Sequence, residues 1–279
     1  MATKTFEQAN PSEWENHLFG LTEERWVKFY NKNFLVTGAG TGYGRCIACG
    51  LAAAGAKVFL VGRREEKLRE SINEISFYGV NTDKCYPIST DLTVYRDLEK
   101  LSSQVKTKVS CLHGLINNAA LPEKSLTGKP LQENTIEDWK RMIDTNLTAP
   151  FLLTRLVFSM LKDSGSAKAI FVTSEAGWAS TPGFGMYNVT KAAINSLCHS
   201  MASEYESSYP WLDIQINALI PGEARTEMNR GSNINPYSIV SMTLILLSHP
   251  KGGPNGKFFH RDGRSLSFGY TQTYDNPLI

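Results

Sequence analysis

Three side chains in the second half of the chain have the types and spacing needed for proton transfer. Tyr187 precedes Lys191 by four residues, and Ser174 lies 13 residues before Tyr187, at the end of a strand-like apolar run. Residues four apart share one face of a helix. A phenol titrates near pH 10, and a cation about 5 Å away at an effective dielectric of about 20 stabilises the phenolate by roughly 3 kcal/mol. The spacing therefore predicts a tyrosine acid or base, with the serine hydroxyl bonded to a substrate oxygen.

A glycine-rich turn between a strand-like run and a helical segment predicts a phosphate site. Gly38, Gly42 and Gly44 follow the pattern G-x-x-x-G-x-G, with Thr41 and Tyr43 inside it. Gly38 permits a tight turn, Gly42 allows backbone to approach a pyrophosphate, and Gly44 allows close packing of helix on strand. The helix N-terminus adds free N–H groups. The alternative is a glycine-rich turn without a ligand.

The end of the second strand-like run distinguishes between two dinucleotides. An acidic residue there would bind the adenosine ribose and repel a 2′-phosphate. This sequence has Gly62 at that place, followed by Arg63 and Arg64, whose guanidinium groups can bind phosphate oxygens. NADP(H) is therefore the expected cofactor, and NAD is the less favoured one. The alternative is that one or both arginines only begin the exposed charged helix that follows.

Strand-like and helix-length segments alternate from Asn33 onward. That alternation predicts an α/β fold with a doubly wound parallel sheet, a Rossmann fold, covered by helices on both faces. Because no repeat and no linker divides the chain, we expect a single domain. The predicted boundaries are a helical N-terminal extension over 1–32, a cofactor-binding catalytic domain over 33–264 and a C-terminal tail over 265–279.

Composition excludes several other classes of protein. The net charge is +2 with no block of like charges, so nucleic acid is not an expected partner. No apolar run approaches 18 residues, and the N-terminus lacks a signal-peptide pattern, so we expect no membrane association. Five scattered cysteines do not form a disulfide framework, which favours a cytoplasmic location. No His/Cys/Asp cluster has metal-ligand spacing, so no metal is expected.

Six motifs, taken together and in order, resemble those of the short-chain dehydrogenase/reductase family, in its classical branch. The resemblance covers about residues 33–264. The motifs are Thr37 to Gly44, Asn117-Asn118-Ala119-Ala120, Asn146, Ser174-Glu175-Ala176-Gly177, Tyr187 to Lys191, and Pro221-Gly222.

The resemblance implies a seven-stranded parallel sheet that binds NAD(P), and it implies a role for each catalytic residue. Tyr187 would exchange the proton, Lys191 would hold the nicotinamide ribose, and Ser174 would position the carbonyl. Asn146 would support a proton relay through water; the alternative for Asn146 is a structural amide. The resemblance also implies a homo-oligomer, a tetramer or a dimer, because the helices that carry Asn146 and Tyr187 usually pair across two-fold axes in the family.

The resemblance assigns further positions to the cofactor. Asp91 and Leu92 would border the adenine, and Asn118 and Ala119 the adjacent ribose. The remaining positions follow the sixth strand: Pro221 and Gly222 would border the cofactor, and Thr226 would bind the carboxamide. The alternative for Thr226 is a cap for the segment that follows it.

The segment after Pro221-Gly222 departs from the family. Members usually place several tens of residues there as a helical flap over the substrate, whereas about 14 residues separate this motif from Pro236. The extra N-terminal residues are one candidate for the missing cover. Glu223 stands where an apolar residue is more usual, and it either meets a polar substrate or pairs with Arg225.

These features together predict an oxidoreductase that moves a hydride between NADPH and a small-molecule carbonyl or secondary alcohol. A second hypothesis is a nucleotide-binding sensor or scaffold without turnover, which the intact Ser174, Tyr187 and Lys191 disfavour. A third is an epimerase or dehydratase acting on a nucleotide sugar. Such relatives usually add a C-terminal substrate domain, whereas only 16 residues follow Gly263 here.

Overall fold

A computed structural model describes residues 10–123, 128–179 and 182–266. They form one sheet with the strand order β3-β2-β1-β4-β5-β6-β7-β8. The first seven strands are parallel, and β8 pairs antiparallel with β7. The strands are β1 (Asn33–Thr37), β2 (Lys57–Gly62), β3 (Cys85–Ser89), β4 (Gly114–Asn117), β5 (Ser166–Val172), β6 (Asp213–Ile220), β7 (Phe258–His260) and β8 (Ser265–Leu266).

Helices connect these strands and cover both faces of the sheet. The longer ones are α1 (Gly42–Ala53), α2 (Glu65–Phe77), α3 (Tyr95–Lys108), α4 (Ile136–Ile143), α5 (Ala149–Asp163), α6 (Gly185–Ser208) and α7 (Val240–Leu247). A π-helical turn, Asp144–Thr148, joins α4 to α5, and short 3-10 turns lie at Leu131–Glu133, Glu175–Gly177 and Pro236–Ile239. The prediction of a doubly wound parallel sheet is therefore confirmed, with β8 as an addition.

Each central strand contributes to two cores because successive side chains point to opposite faces. Phe34 and Val36 of β1 pack on the face that α1 and α7 cover. Leu35, between them, packs on the face covered by α3, α5 and α6. The chain order reverses beside β1, whose neighbours are β2 and β4. Ligands of such sheets bind in the crevice at that point, beyond the carboxyl ends of the strands.

Residues 10–32 fold as single helical turns that pack against the outer helices. Phe19 is buried and stacks on the Tyr237 ring at 6.1 Å. The Trp14 indole N–H donates to the Tyr78 carbonyl at 3.3 Å, and Arg25 donates to the Ile245 carbonyl at 3.3 Å. These contacts anchor the described part of the extension to the helical layer over α1, α2 and α7.

The predicted division into extension, domain and tail stays a prediction. Residues 1–9 and 267–279, at the two ends of that division, lie outside the described residues. No helix within 10–123, 128–179 and 182–266 is long and apolar enough to span a bilayer. The same residues contain no group of three His, Cys, Asp or Glu side chains arranged to hold a metal ion.

Candidate active site

A cavity of about 460 Å³ lies beyond the carboxyl ends of the parallel strands. Most of the positions singled out in the sequence line it: Gly38, Thr41, Gly42, Tyr43, Arg63, Arg64, Asp91, Leu92, Asn118, Ala119, Tyr187, Lys191, Pro221 and Thr226. Gly44, Asn146, Ser174 and Gly222 do not line it, but each directly follows a residue that does. None of residues 10–32 reaches it, so the described part of the extension does not replace the missing flap.

The glycine turn is packed so closely that side chains would not fit at two of its positions. Gly38 has φ of +66°, and a Cβ there would lie 2.8 Å from the Asn118 amide nitrogen. A Cβ on Gly44 would lie 2.3 Å from the Gly38 carbonyl oxygen. The first turn of α1 therefore rests directly on the turn that follows β1, as the sequence predicts for Gly44.

Thr37 holds the glycine turn against the segment after β4, a role that the sequence argument did not assign. Its hydroxyl oxygen accepts the backbone N–H groups of Asn118 at 2.9 Å and Ala119 at 3.0 Å. The Asn118 amide donates in turn to the Thr37 carbonyl at 2.9 Å. The signal for this clamp was the threonine directly before the first glycine of the turn.

Two arginines give positive charge to the end of the cavity beside β2. Arg63 and Arg64 are both exposed there, and the position before them is Gly62. Burial alone would raise the pKa of Asp91, but hydrogen bonds from Thr93 and the charge of Arg63 hold that pKa below its usual value. Asp91 is thus an anionic acceptor at neutral pH, and it lies close enough to Arg63 to feel its charge.

Tyr187 and Lys191 lie on one face of α6, and the ammonium is 5.4 Å from the centre of the phenol ring. The Lys191 Nζ donates to the Val172 carbonyl at 3.0 Å. Burial lowers the pKa of Lys191 to about 8. Burial also raises the pKa of Tyr187 to about 12, while a hydrogen bond with Ser174 opposes that rise.

The titration of Tyr187 differs from the expectation from sequence. The spacing argument expects a nearby ammonium to lower the pKa of the phenol, whereas burial dominates in this structure and raises it. The physical reason is desolvation, which disfavours the charged phenolate more than the hydrogen bond with Ser174 favours it. Tyr187 is a neutral phenol at pH 7, as it would be at its ordinary pKa, and burial makes the phenolate harder to form than in water.

Asn146 lies in the π-helical turn between α4 and α5 and is buried. Its amide binds the backbone of Leu121 twice, accepting from the N–H at 2.7 Å and donating to the carbonyl at 3.0 Å. It also donates to the Thr190 hydroxyl at 3.2 Å. Asn146 thus ties the cavity lining after β4 to α6, and the predicted water relay stays a prediction.

The shortened segment after β6 is held by its own hydrogen bonds and by neighbouring side chains. The Tyr43 hydroxyl donates to the Gly222 carbonyl at 2.8 Å, and Arg261 donates to the Pro221 carbonyl at 3.0 Å. The Thr226 hydroxyl accepts the Asn229 N–H at 3.1 Å, which closes a turn within this segment; no helix begins between Ile220 and Pro236, so this bond does not cap one.

Of the two expectations for Glu223, pairing with Arg225 is not found. The Arg225 guanidinium donates instead to the Ser232 carbonyl at 3.4 Å and to the Asn233 side chain at 3.3 Å. Glu223 is exposed.

Further residues line the cavity without having been assigned to the cofactor or to catalysis from the sequence, although several of them, such as Gly62 and Ala120, stand in or beside the motifs. Ala120, Leu121 and Pro122 follow Ala119, and Lys67 lies one helical turn after Arg63 and Arg64. The full set is Gly40, Gly62, Lys67, Leu68, Thr90, Thr93, Ala120, Leu121, Pro122, Thr145, Val172, Thr173, Glu227 and Met228. A second cavity of about 200 Å³ shares Leu121 and Pro122 with the first and reaches Met186, beside Tyr187.

Comparison with known proteins identifies the class. Residues 32–236 match the short chain dehydrogenase family. A tropinone reductase homolog of Arabidopsis thaliana is 31% identical over 210 residues, covering 74% of each chain. A 3-oxoacyl-[acyl-carrier-protein] reductase of Synechocystis is 29% identical over 202 residues, covering 72% of this chain and 78% of the relative. The chain belongs to the short-chain dehydrogenase family and is an oxidoreductase.

Solved structures share the fold over most of their length. A short chain dehydrogenase from Shigella flexneri, complexed with NADP, is 26% identical with a TM-score of 0.75, covering 84% of this chain and 98% of that one. One from Escherichia coli, complexed with NADPH, is 26% identical with a TM-score of 0.74 and the same coverage. Both of those proteins bind the phosphorylated dinucleotide.

Proposed function

We propose that this protein is an NADPH-dependent oxidoreductase that reduces a carbonyl, or oxidises the corresponding secondary alcohol, with Tyr187 as the proton-transfer group. The observation that carries the proposal is one continuous cavity with Arg63 and Arg64 at one end and Tyr187 and Lys191 at the other. A dinucleotide is a ligand long enough to use both ends. NADPH, when bound, supplies the hydride.

The residues of the cavity fit such a cofactor. The glycine turn offers backbone without side chains, and the start of α1 directs N–H groups and a positive dipole end to the same place. Gly62 leaves no carboxylate to repel a 2′-phosphate, and the adjacent guanidinium groups favour one. The complexes of the related structures with NADP and NADPH support the same choice.

The protonation states of the site suit reduction. Tyr187 carries its proton at neutral pH, as any phenol with a pKa near 10 does, and burial raises its pKa further, to about 12. Lys191 can donate to ribose hydroxyls, and Ser174 can donate to the same carbonyl oxygen that receives the tyrosine proton. An alkoxide that forms at that oxygen takes the proton from Tyr187, and the charge of Lys191 then stabilises the phenolate.

The test of activity is a panel of aldehydes, ketones and secondary alcohols, followed by the loss or gain of NADPH absorbance, with NADH as control. Turnover with NADPH supports the proposal. Tight NADPH binding with no turnover across a broad panel would instead support a sensor or scaffold.

The test of cofactor choice is the variant Arg63→Ala. It should weaken NADPH binding by about 1.5 to 3 kcal/mol in calorimetric titration and leave NADH binding nearly unchanged, because only NADPH loses charge-assisted hydrogen bonds. Arg69→Ala is the matched control, since Arg69 is an exposed arginine of α2 that pairs with Glu65 at 2.6 Å and does not line the cavity. Equal losses for both dinucleotides contradict the proposal.

The same proposal includes a homo-oligomer that pairs through α5 and α6. Phe151 of α5 and Val189 of α6 are 40% and 42% exposed, so each of these helices presents an apolar side chain that a second copy could cover. Light scattering should give a mass at least twice that of the 31.0 kDa chain. A particle of the single-chain mass at micromolar concentration contradicts this part of the proposal.

A further inference from the structure

An ion pair crosses the cationic end of the cavity. The Arg64 guanidinium donates to the Glu227 carboxylate at 2.8 Å, and both side chains line the cavity. Arg64 lies just before α2, whereas Glu227 belongs to the short segment after β6. The pair therefore joins the two loops that face each other across the proposed adenosine end.

The Glu227 carboxylate lies near three cations, Arg64, Lys67 and Arg45. The hydrogen bond from Arg64 lowers the pKa of Glu227, and the charges of Lys67 and Arg45 contribute in the same direction. Lys67 is bonded to Glu70 at 2.7 Å, and Arg45 is bonded to Glu74 at 2.7 Å. Of these three cations, Arg64 is therefore the one that forms an ion pair with Glu227.

Thr226, the residue before Glu227, brings the same segment close to the glycine turn. A Cβ on Gly42 would lie 3.2 Å from the Thr226 methyl carbon. Thr226 also accepts the Asn229 N–H at 3.1 Å, which fixes the start of the loop. The backbone directly before Glu227 is therefore held by contacts of its own loop, and the Glu227 side chain reaches Arg64 from there.

We propose that Glu227 competes with the 2′-phosphate of NADPH for the Arg64 guanidinium. Glu227 would thereby set both the affinity for NADPH and the preference for NADPH over NADH. The inference rests on the proposed function, because it requires NADPH at this site. A carboxylate and a phosphate present similar pairs of oxygens to a guanidinium. A phosphate monoester carries about −1.5 to −2 charge near pH 7, so it displaces a carboxylate of charge −1.

The competition affects the two dinucleotides differently. The Arg64–Glu227 ion pair must break before Arg64 can bind the 2′-phosphate of NADPH. The apparent affinity for NADPH is therefore reduced in proportion to the fraction of molecules in which the ion pair is formed. NADH has no group that requires Arg64, so the pair persists when NADH binds. Removal of the Glu227 charge should therefore favour NADPH alone.

The test is the variant Glu227→Gln, with dissociation constants for NADPH and NADH measured by calorimetry. Exposed ion pairs are worth about 0.2 to 1 kcal/mol, so NADPH should bind between about 1.4-fold and fivefold more tightly, with NADH unchanged. Glu66→Gln is the matched control, because Glu66 is an exposed acid in the first turn of α2 that does not line the cavity. In an Arg64→Ala background, Glu227→Gln should have no effect on NADPH.

The outcomes separate this inference from the proposed function. If the parent prefers NADPH but Glu227→Gln weakens NADPH, tightens both dinucleotides equally or matches Glu66→Gln, the inference is overturned and the proposed function stands. An effect of Glu227→Gln that persists in the Arg64→Ala background also overturns it. A parent that binds NADH more tightly than NADPH overturns both.

Discussion

Among the described residues, two lysines are buried, and they lie near opposite edges of the sheet. Lys168, in β5 at the amino edge, lies 2.6 Å from the Asp213 carboxylate, whose other contacts are Ser166 at 2.6 Å and Gln215 at 2.8 Å. Lys191, at the carboxyl edge, has a carbonyl as its bonded partner and no acid within ion-pair distance among the described residues.

The two lysines differ in whether the fold itself compensates their charge. Burial lowers the pKa of Lys168, but the neighbouring carboxylate opposes that change, and the hydrogen bonds to Asp213 keep its own pKa low despite burial. Nothing comparable opposes the desolvation of Lys191, whose pKa falls to about 8. Asp213 compensates the buried charge of Lys168 within the fold. The buried charge of Lys191 keeps its desolvation free energy, which a bound ligand can reduce.

The largest expected effect is that of Lys191→Met on turnover. Loss of the ammonium should reduce kcat/KM by about 10²- to 10⁴-fold, because proton transfer loses the cation that stabilises the phenolate. The cofactor-free protein should nevertheless become more stable by about 1 to 3 kcal/mol, since an unpaired buried charge is removed. Denaturant titration and steady-state kinetics measure the two effects. A variant that loses both activity and stability would contradict the comparison.

The same substitution at the other lysine should have the opposite effect on stability. Lys168→Met leaves Asp213 as an uncompensated buried charge and should destabilise the protein by about 3 to 5 kcal/mol. Activity per folded molecule should stay near that of the parent, because Lys168 does not line the cavity. The double variant Lys168→Met/Asp213→Leu should recover most of the lost stability. Persistent instability of the double variant would mean that packing, and not the charge, is the cause.

A smaller effect concerns the pH dependence of stability. The pKa of Lys191 is lowered to about 8 in the folded protein from 10.5. Between those values the unfolded chain binds more protons than the folded one, so this lysine makes stability rise with pH across that window. The stability advantage of Lys191→Met over the parent should therefore be full below pH 8 and shrink by up to about 3 kcal/mol toward pH 10.5. Denaturant titrations of both proteins across this range measure it, and a constant difference would contradict the assignment.

The sequence predicted the elements of the site better than the contacts between them. The glycine turn and the i, i+4 spacing of Tyr187 and Lys191 are local patterns, and the parallel sheet placed both at one edge. The Arg64–Glu227 pair joins residues 163 positions apart through two loops, and no periodicity reports such a contact.

The spacing of residues in the sequence also did not predict how deeply the charged and titratable side chains are buried. The raised pKa of Tyr187 depends on how much of the phenol is desolvated, which a helical spacing does not give. Charged residues in the strand-like runs gave no signal for the buried Lys168–Asp213 pair. The extension was a candidate cover for the site because the segment after Pro221-Gly222 is short, whereas Phe19 of the extension stacks on Tyr237.

The most direct test of the central claim is Tyr187→Phe, once a substrate has been found. Under the proposed role, the phenol hydroxyl contributes to the transition state and little to the ground-state contacts of the cofactor. NADPH affinity should therefore stay within about twofold of the parent, while kcat falls by about 10²-fold or more. Tyr205→Phe, on the same helix but away from the cavity, is the control. A Tyr187→Phe variant that retains more than about a tenth of the parent kcat would place less than about 1.4 kcal/mol of the barrier on that hydroxyl and would contradict the proton-transfer role.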